Sequence, residues 1–336
     1  MIKTSYWKFS KTLNLDNAIE LINSKLEKDI SDQYKIVIKP IMNTTDDVSI
    51  NKKSFKISET DIEYVFFRLS YIVKATGVIE SDTDIVIYYD DILRMNVHRG
   101  RQNVKKYINN YFDEDKWGKI IDDMPGVSED LLYWVFKSYI DNPRTALSND
   151  NKLFLSSLKG YRGVTKDQNN SLRGDGDRIS EILGTLAFLL NNDLKMLRPK
   201  VTYIVGDEKH NVLMDIRLTG TIMFEISDYK GFFNGKDEKE ELPCILSILC
   251  SRHIIPKFIS SYNYAIESKS WSPVLKRDFL KRIGEEIKTR VDIELEKLDK
   301  EIVGDNTQLE IVERVALDVD SELDEIELDE IELDEE

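Results

Sequence analysis

The chain has 336 residues, of which 41% are hydrophobic and 10% aromatic, so it can bury a sizeable core and is not globally disordered. Its formal net charge of -15 is unevenly placed: 15 acidic residues and one base, Arg314, lie in 305–336, leaving 47 acids and 46 bases in 1–304. The body is therefore nearly neutral, and its local patches rather than the overall sign decide which ligands it attracts. Two cysteines, Cys244 and Cys250, cannot build a disulfide framework. No secretory signal is read at the start, and the most apolar stretch, Leu242 to Cys250, stops at Arg252 and His253. The expectation is a soluble, cytoplasmic protein with no membrane association.

In chain order, Tyr34 to Lys39 is a short β-branched run ending at Pro40 and reads as a strand. Thr60-Asp-Ile-Glu63 has the form of a capping box, and Ile62, Val65, Phe66 and Leu69 follow at helical spacing, which predicts a helix. Asp84 to Tyr89 predicts a strand. Ser128, followed by Glu129 and Asp130, opens an aromatic-rich helix over Leu131 to Ile140 that stops before Pro143. Residues 1–150 are expected to form an N-terminal mixed α/β domain, with a boundary near 141–151.

Two basic segments stand out. The first holds Arg94, His98, Arg99, Arg101, Lys105 and Lys106. The second runs from Lys159 through Arg162, Lys166 and Arg173 to Arg178, and its Gly, Asn and Ser content predicts a loop. Arg99, Arg101, Lys105, Arg162, Arg173 and Arg178 are the candidate nucleic-acid contacts, because phosphate backbones are held by such cations.

Several chemistries lack their residues. The three histidines, His98, His210 and His253, show no zinc-ligand spacing, and there is no phosphate-binding Gly-x-x-x-x-Gly-Lys-Ser/Thr loop. Gly174-Asp-Gly-Asp177 resembles part of a calcium loop but lacks the remaining ligands and the closing glutamate.

Residues 174–235 predict a helix followed by three strands. Asp177 or Ser180 caps the helix, which carries Glu181 in its first turn and runs through Ile182, Leu183, Leu186 and Leu190. Val201 to Val205, Val212 to Leu218 and Thr221 to Ser227 are the strands; Gly206 to Asn211 is a polar connection and Thr219-Gly220 a tight turn. On these strands Met214-Asp215-Ile216 and Phe224-Glu225-Ile226-Ser227-Asp228-Tyr229-Lys230-Gly231 resemble the PD-(D/E)xK nuclease superfamily, and most closely its NERD-like members. The resemblance covers about 60 residues. It implies an α+β, restriction-endonuclease-like core in which a helix packs on a mixed sheet. It also implies a metal-dependent nuclease, or a nucleic-acid-binding protein derived from one, with a role in restriction or anti-phage defence. Asp215, Glu225 and Glu181 would hold Mg²⁺, with Glu225 also catalytic. The family's lysine position is Ser227, which carries no charge. Either Lys230 would reach back to replace it, or Asp228-x-Lys230 would itself be the motif, with both residues catalytic. The alternative reading is a non-enzymatic interaction protein that binds nucleic acid or a protein partner, with the acidic tail regulating access.

Ser272-Pro273 predicts the start of a long helix with Leu280, Ile283, Ile287, Val291, Leu295 and Leu298 on one face. Residues 151–304 would hold the core and this helix. The Glu-Leu-Asp-Glu-Ile repeat from Glu322 has a period matching neither helix nor strand, so 305–336 are expected to be a disordered acidic tail.

Overall fold

The computed structural model describes residues 1–41, 49–123, 125–147, 149–166, 169–176, 187–190, 192–235 and 241–330; the side chains of 192 and 303–330 lie outside this description. The chain is α+β and forms two units, Met1–Leu280 and Lys281–Glu336.

The first unit is built on one large sheet in which every described pairing is antiparallel, where a mixed or antiparallel sheet was expected over 174–235. Its strands are β1 (Ile2–Phe9), β2 (Glu27–Asp29), β3 (Tyr34–Pro40), β4 (Lys53–Ile57), β5 (Thr60–Val73), β6 (Ile79–Asp90), β7 (Ile92–Val97), β8 (Ile120–Asp122), β9 (Leu153–Thr165), β10 (Ser171–Asp175), β11 (Asn192–Val205), β12 (Glu208–Arg217), β13 (Ile222–Phe224) and β14 (Lys230–Gly231). They run in the order β10-β9-β11-β12-β13-β1-β7-β6-β5-β3-β2, with β4, β8 and β14 attached at the sides. The boundary expected near 141–151 falls just before β9, yet β1 pairs with β7 on one edge and β13 on the other, so the N-terminal strand joins the two halves.

One face of the N-terminal half is covered by α1 (Leu15–Asn23), α2 (Arg101–Tyr111) and α3 (Glu114–Trp117), which bury Ala18, Ile22, Val104, Tyr107 and Trp117 against Trp7, Phe9, Val65, Phe67, Ile85 and Ile87. The opposite face carries α5 (Leu242–Leu249), a π-helical turn (Cys250–Ile254) and α6 (Ile255–Glu267). There Asn96 Nδ2 donates to Ser247 Oγ at 3.2 Å, and Tyr88 Oη meets Ser251 Oγ at 3.2 Å. In the C-terminal half that face is covered by α4 (Glu129–Asp141), packed on β9 and β11.

Burial on both faces gives one strand the apolar pattern of a helix. The helix expected from Thr60 is the 14-residue strand β5. Tyr64 to Phe67 are all buried, so no alternation survives to distinguish strand from helix. The apolar run from Leu242 does not stop at Arg252-His253 either: the chain stays helical to Glu267. By length and composition Leu242–Glu267 could cross a membrane, but 56% of its most apolar window is buried inside the fold. Of the basic loop expected from Lys159 to Arg178, 159–165 and 171–175 are instead strands of the β9–β10 hairpin and Arg178 lies outside the described residues, and the connection Gly206 to Asn211 is a tight turn at Gly206-Asp207, with Gly206 at φ +56°.

The expected capping of α4 is present, with the Leu131 amide donating to Ser128 Oγ at 3.1 Å. Its first turn anchors the helices that follow. Asp130 accepts from the Trp271 indole (2.6 Å), the Tyr262 hydroxyl (2.8 Å) and Lys276 Nζ (3.0 Å). Burial alone would raise its pKa, but these three donors outweigh it and hold the carboxyl below the usual range. Asp130→Ala leaves the buried Trp271 indole N–H without its acceptor and is expected to cost about 2–3 kcal/mol, read as a lower urea midpoint at unchanged slope.

The long helix α7 (Pro273–Glu330) starts as expected, with the Leu275 amide donating to Ser272 Oγ at 3.3 Å. Of the segment expected to be a disordered tail, 305–330 continue this helix and 331–336 lie outside the described residues. No glycine or proline follows Gly304, and the segment is rich in Glu and Leu, both strong helix formers. In the second unit Arg290–Glu286 (2.5 Å) and Lys297–Glu294 (2.7 Å) are intrahelical pairs, and Val291, Leu295, Leu298 and Ile302 are exposed along one stripe.

Candidate functional site: an arginine-bearing sheet face

Antiparallel register fixes which side chains share a face, since directly opposed residues point the same way and each strand alternates. On β12, Val212, Met214 and Ile216 face the helices and are buried. Leu213, Asp215 and Arg217 face the other way, on the side that α1–α3 cover in the N-terminal half. Following the register outward, Arg217 opposes Met196, Met196 opposes Arg162, and Arg162 opposes Arg173. The adjacent row contains Asp175, Gly160, Arg198, Asp215, Met223 and Lys3. From β10 to β1 this face spans five interstrand spacings, about 24 Å at roughly 4.8 Å each.

Asp215 is fully buried within it. Its Oδ1 accepts from Arg198 Nε at 2.7 Å, and its Oδ2 from Arg217 Nη2 at 3.0 Å and Arg198 Nη2 at 3.4 Å. Arg198 Nη1 continues to Asp175 Oδ1 at 3.0 Å, and Arg173 Nε meets Asp175 Oδ2 at 2.5 Å. Gly160 makes this lattice possible, because a Cβ there would stand 2.7 Å from Asp175 Oδ1 and 3.3 Å from Arg198 Cβ. Hydrogen bonding to Asp215 is the main cause of a raised Arg198 pKa. Glu225, just past β13, accepts from Ser227 Oγ at 3.1 Å, and the Met1 amino group lies 3.3 Å away.

The nuclease-motif residues are therefore dispersed or engaged. The third strand is only Ile222–Phe224, and Asp228 sits in a turn, so strand alternation does not align Asp228 with Lys230. Lys230 pairs opposite Asn211, four residues along β12 from Asp215, or about 13 Å at roughly 3.3 Å per residue. Glu181 and Arg178, and most of the expected helix, lie outside the described residues; 187–190 are helical. Among the described residues no three His, Cys, Asp or Glu side chains gather to hold a metal. Asp215 and Glu225 as placed do not fit a Mg²⁺ site, since arginines already occupy both oxygens of Asp215.

The basic residues fare differently. Arg162 and Arg173 are exposed and directly opposed, and the Arg162 side chain forms no ion pair with any described residue. Lys105 is exposed on α2. Arg101, in the first turn of α2, pairs with Asp122. Arg99 turns inward, donating to the Asp82 carbonyl at 2.5 Å and lying 4.9 Å from the Tyr107 ring centre. Three residues of this face were missed in the sequence: Lys3, Arg198 and Arg217. Only Arg217 carried a signal, through its period-2 spacing from Asp215.

At the β1 end the face deepens into a cleft of about 290 Å³ lined by Lys3, Arg101, Gln102, Arg217, Thr219 and Thr221. The uncapped start of α2 opens here: its N-cap is Gly100, which offers no side-chain acceptor. The first-turn amides and the positive end of the helix dipole favour anions at such a point. The Lys3 stem packs over Gly100, where a Cβ would come within 2.7 Å of Lys3 Cδ. Comparison with protein-family models and with curated proteins finds no match to this sequence.

Proposed function

We propose that this chain is a nucleic-acid-binding protein that grips phosphate backbone on the arginine-bearing sheet face and in the cleft at the start of α2. The observation that carries this reading is the direct opposition of Arg162 and Arg173. Like charges across a strand pair cost stability, and a polyanion lying over both removes that cost. Among the described residues Lys3, Arg162, Arg173, Arg198, Lys200 and Arg217 outnumber Asp175, Asp193, Asp215 and Glu225 on the face, leaving a positive excess to which α2 adds its dipole. The reading takes Asp215 as the charge that orders Arg198 and Arg217 rather than as a metal ligand. Kinship with the PD-(D/E)xK superfamily enters only as a proposal of origin, with hydrolysis not part of the function. Met196, Leu213 and Met223 are apolar members of the face, and among the described residues no aromatic stacking platform accompanies them, which favours sequence-independent backbone contact.

Fluorescence anisotropy with a labelled oligonucleotide tests this. Arg162→Glu combined with Arg173→Glu is expected to weaken binding at least tenfold. It should also lower the slope of log affinity against log salt by about 2, at roughly 0.9 for each phosphate that the variant no longer neutralises. The control is Lys39→Glu with Lys56→Glu, an equal charge change at exposed positions of β3 and β4. An equal loss in both variants, or no loss in the first, overturns the reading.

A further inference from the structure

A second cavity lies on the opposite face of the sheet, between β1, β6 and β7 and the helical run Leu242–Glu267. It measures about 380 Å³. Tyr6, Tyr88, Arg94, Ser251 and Arg252 form its polar wall, and Pro256 and Ile259 its apolar one. Ser251 and Arg252 reach it because the helix there is π-helical: the Ile255 amide bonds back to the Cys250 carbonyl, one residue further than in an α-helix. Such insertions recur at functional sites because they re-aim side chains at some expense in helix geometry.

Three donors on this wall make no hydrogen bond to a described residue: Tyr6 Oη, Arg94 Nε and Arg252 Nε; the acceptor beside them, Asp90 Oδ2, stands 3.7 Å from Arg94 Nε, beyond hydrogen-bond distance. Tyr6 is only 4% exposed. Burial, then the neighbouring Cys250 and Tyr88, push its phenol well above its ordinary pKa, so the hydroxyl keeps its proton and acts as a donor. A buried donor left unpaired costs stability, and three donors beside the single acceptor Asp90 Oδ2 leave a deficit that an acceptor-rich occupant satisfies. The charges agree. Arg94 pairs with Asp123 and, at 3.7 Å, with Asp90; Arg252 pairs with Asp90; Lys8 lies 3.4 Å from Asp123. The two lining arginines are thus matched by Asp123, which also lines the cavity, and Asp90, and Lys8 beside the cavity supplies one positive charge in excess.

We propose that this cavity binds a small organic monoanion, a carboxylate whose oxygens accept from Tyr6 Oη, Arg94 Nε and Arg252 Nε and whose apolar body rests on Pro256 and Ile259. The site is separate from the arginine-bearing face and does not depend on nucleic-acid binding.

Benzoate is the probe, titrated into the full chain carrying ¹⁵N-labelled arginine. Saturable shifts are expected in two Nε–H signals, those that disappear in Arg94→Lys and Arg252→Lys. Tyr6→Phe should weaken benzoate binding about tenfold, the scale of one hydrogen bond to a charged group, while the melting temperature holds or rises because the lost hydroxyl had no partner in the free protein. Phenyl phosphate forms the second arm, and at least tenfold tighter binding than benzoate would overturn the carboxylate assignment in favour of a phosphate ester. The site itself is overturned if benzoate produces no saturable shift. It is equally overturned if Tyr6→Phe lowers the melting temperature and leaves benzoate affinity unchanged, since the hydroxyl would then be structural.

Discussion

Asp215→Ala is expected to destabilise the first unit by about 2–3 kcal/mol. The carboxylate is fully buried, and its two oxygens receive three N–H groups from Arg198 and Arg217. Removing one partner of a buried ion pair typically costs about 3–5 kcal/mol, because the remaining charge stays desolvated. Here the figure is lower, since Arg198 keeps Asp175 and the Arg217 side chain is 29% exposed. Urea unfolding should show a reduced midpoint at constant slope. The experiment also separates the two roles available to this residue. A carboxylate gathered with others to hold a cation is repelled by its neighbours when the cation is chelated, so its removal would raise stability in EDTA. A carboxylate neutralising two guanidiniums gives the opposite sign. Stabilisation of Asp215→Ala in chelator would therefore return Asp215 to the metal reading.

The same residue shows how far the sequence could be read. Val212 to Leu218 was recognisable as a strand because polar and apolar residues alternate, and that alternation places Asp215 away from the helices. What the sequence could not supply was the partner. Arg198 stands before Pro199 in a segment with no strand signature, yet β11 begins at Asn192 and accommodates the proline at a register shift between Arg198 and Pro199. β5 failed for the converse reason: burial on both faces erased its alternation, and Thr60-Asp-Ile-Glu63, which imitates a helix cap, instead pairs Asp61 with Lys56 and Glu63 with Ser54 across a hairpin. Composition made Lys159 to Arg178 look like a loop. Its glycines serve other ends: Gly160 clears space for the Arg198–Asp175 pair, and Gly163 lies against Phe188, whose ring would be struck by a Cβ. The basic character of this segment was legible; that it presents Arg162 opposite Arg173 depends on pairing, which only the folded sheet reveals.

Stability is expected to fall steeply as pH drops from about 6.5 toward 4, by up to about 3 kcal/mol per pH unit from two histidines. Burial pushes His98 down to about 4, with Asp84 opposing the shift, and pushes His253 to about 4, helped by Arg252 and His210. Burial also lowers His210, against the pull of Glu208. Its Nδ1 lies 2.9 Å from Tyr229 Oη, and its ring is stacked with Phe233 at 5.1 Å, so protonation would place a charge inside an aromatic cluster. Above about 6.5 these groups are neutral in both folded and unfolded chains and add no pH dependence. Between about 6.5 and 4 the unfolded chain takes up protons that the folded chain refuses, so unfolding is favoured by roughly 1.4 kcal/mol per pH unit for each histidine, with His210 adding in the same direction. The depressed carboxylates do not confound this window. Asp113, held down chiefly by Lys28, and Asp130 lose their contributions only below the ordinary carboxylate range. Urea midpoints at pH 7.5, 6.5, 5.5 and 4.5 measure the profile, and combining His98→Gln with His253→Gln should flatten most of it. A parent profile already flat between pH 6.5 and 4.5 would mean that the folded chain accepts those protons and that the cavities around these rings admit water.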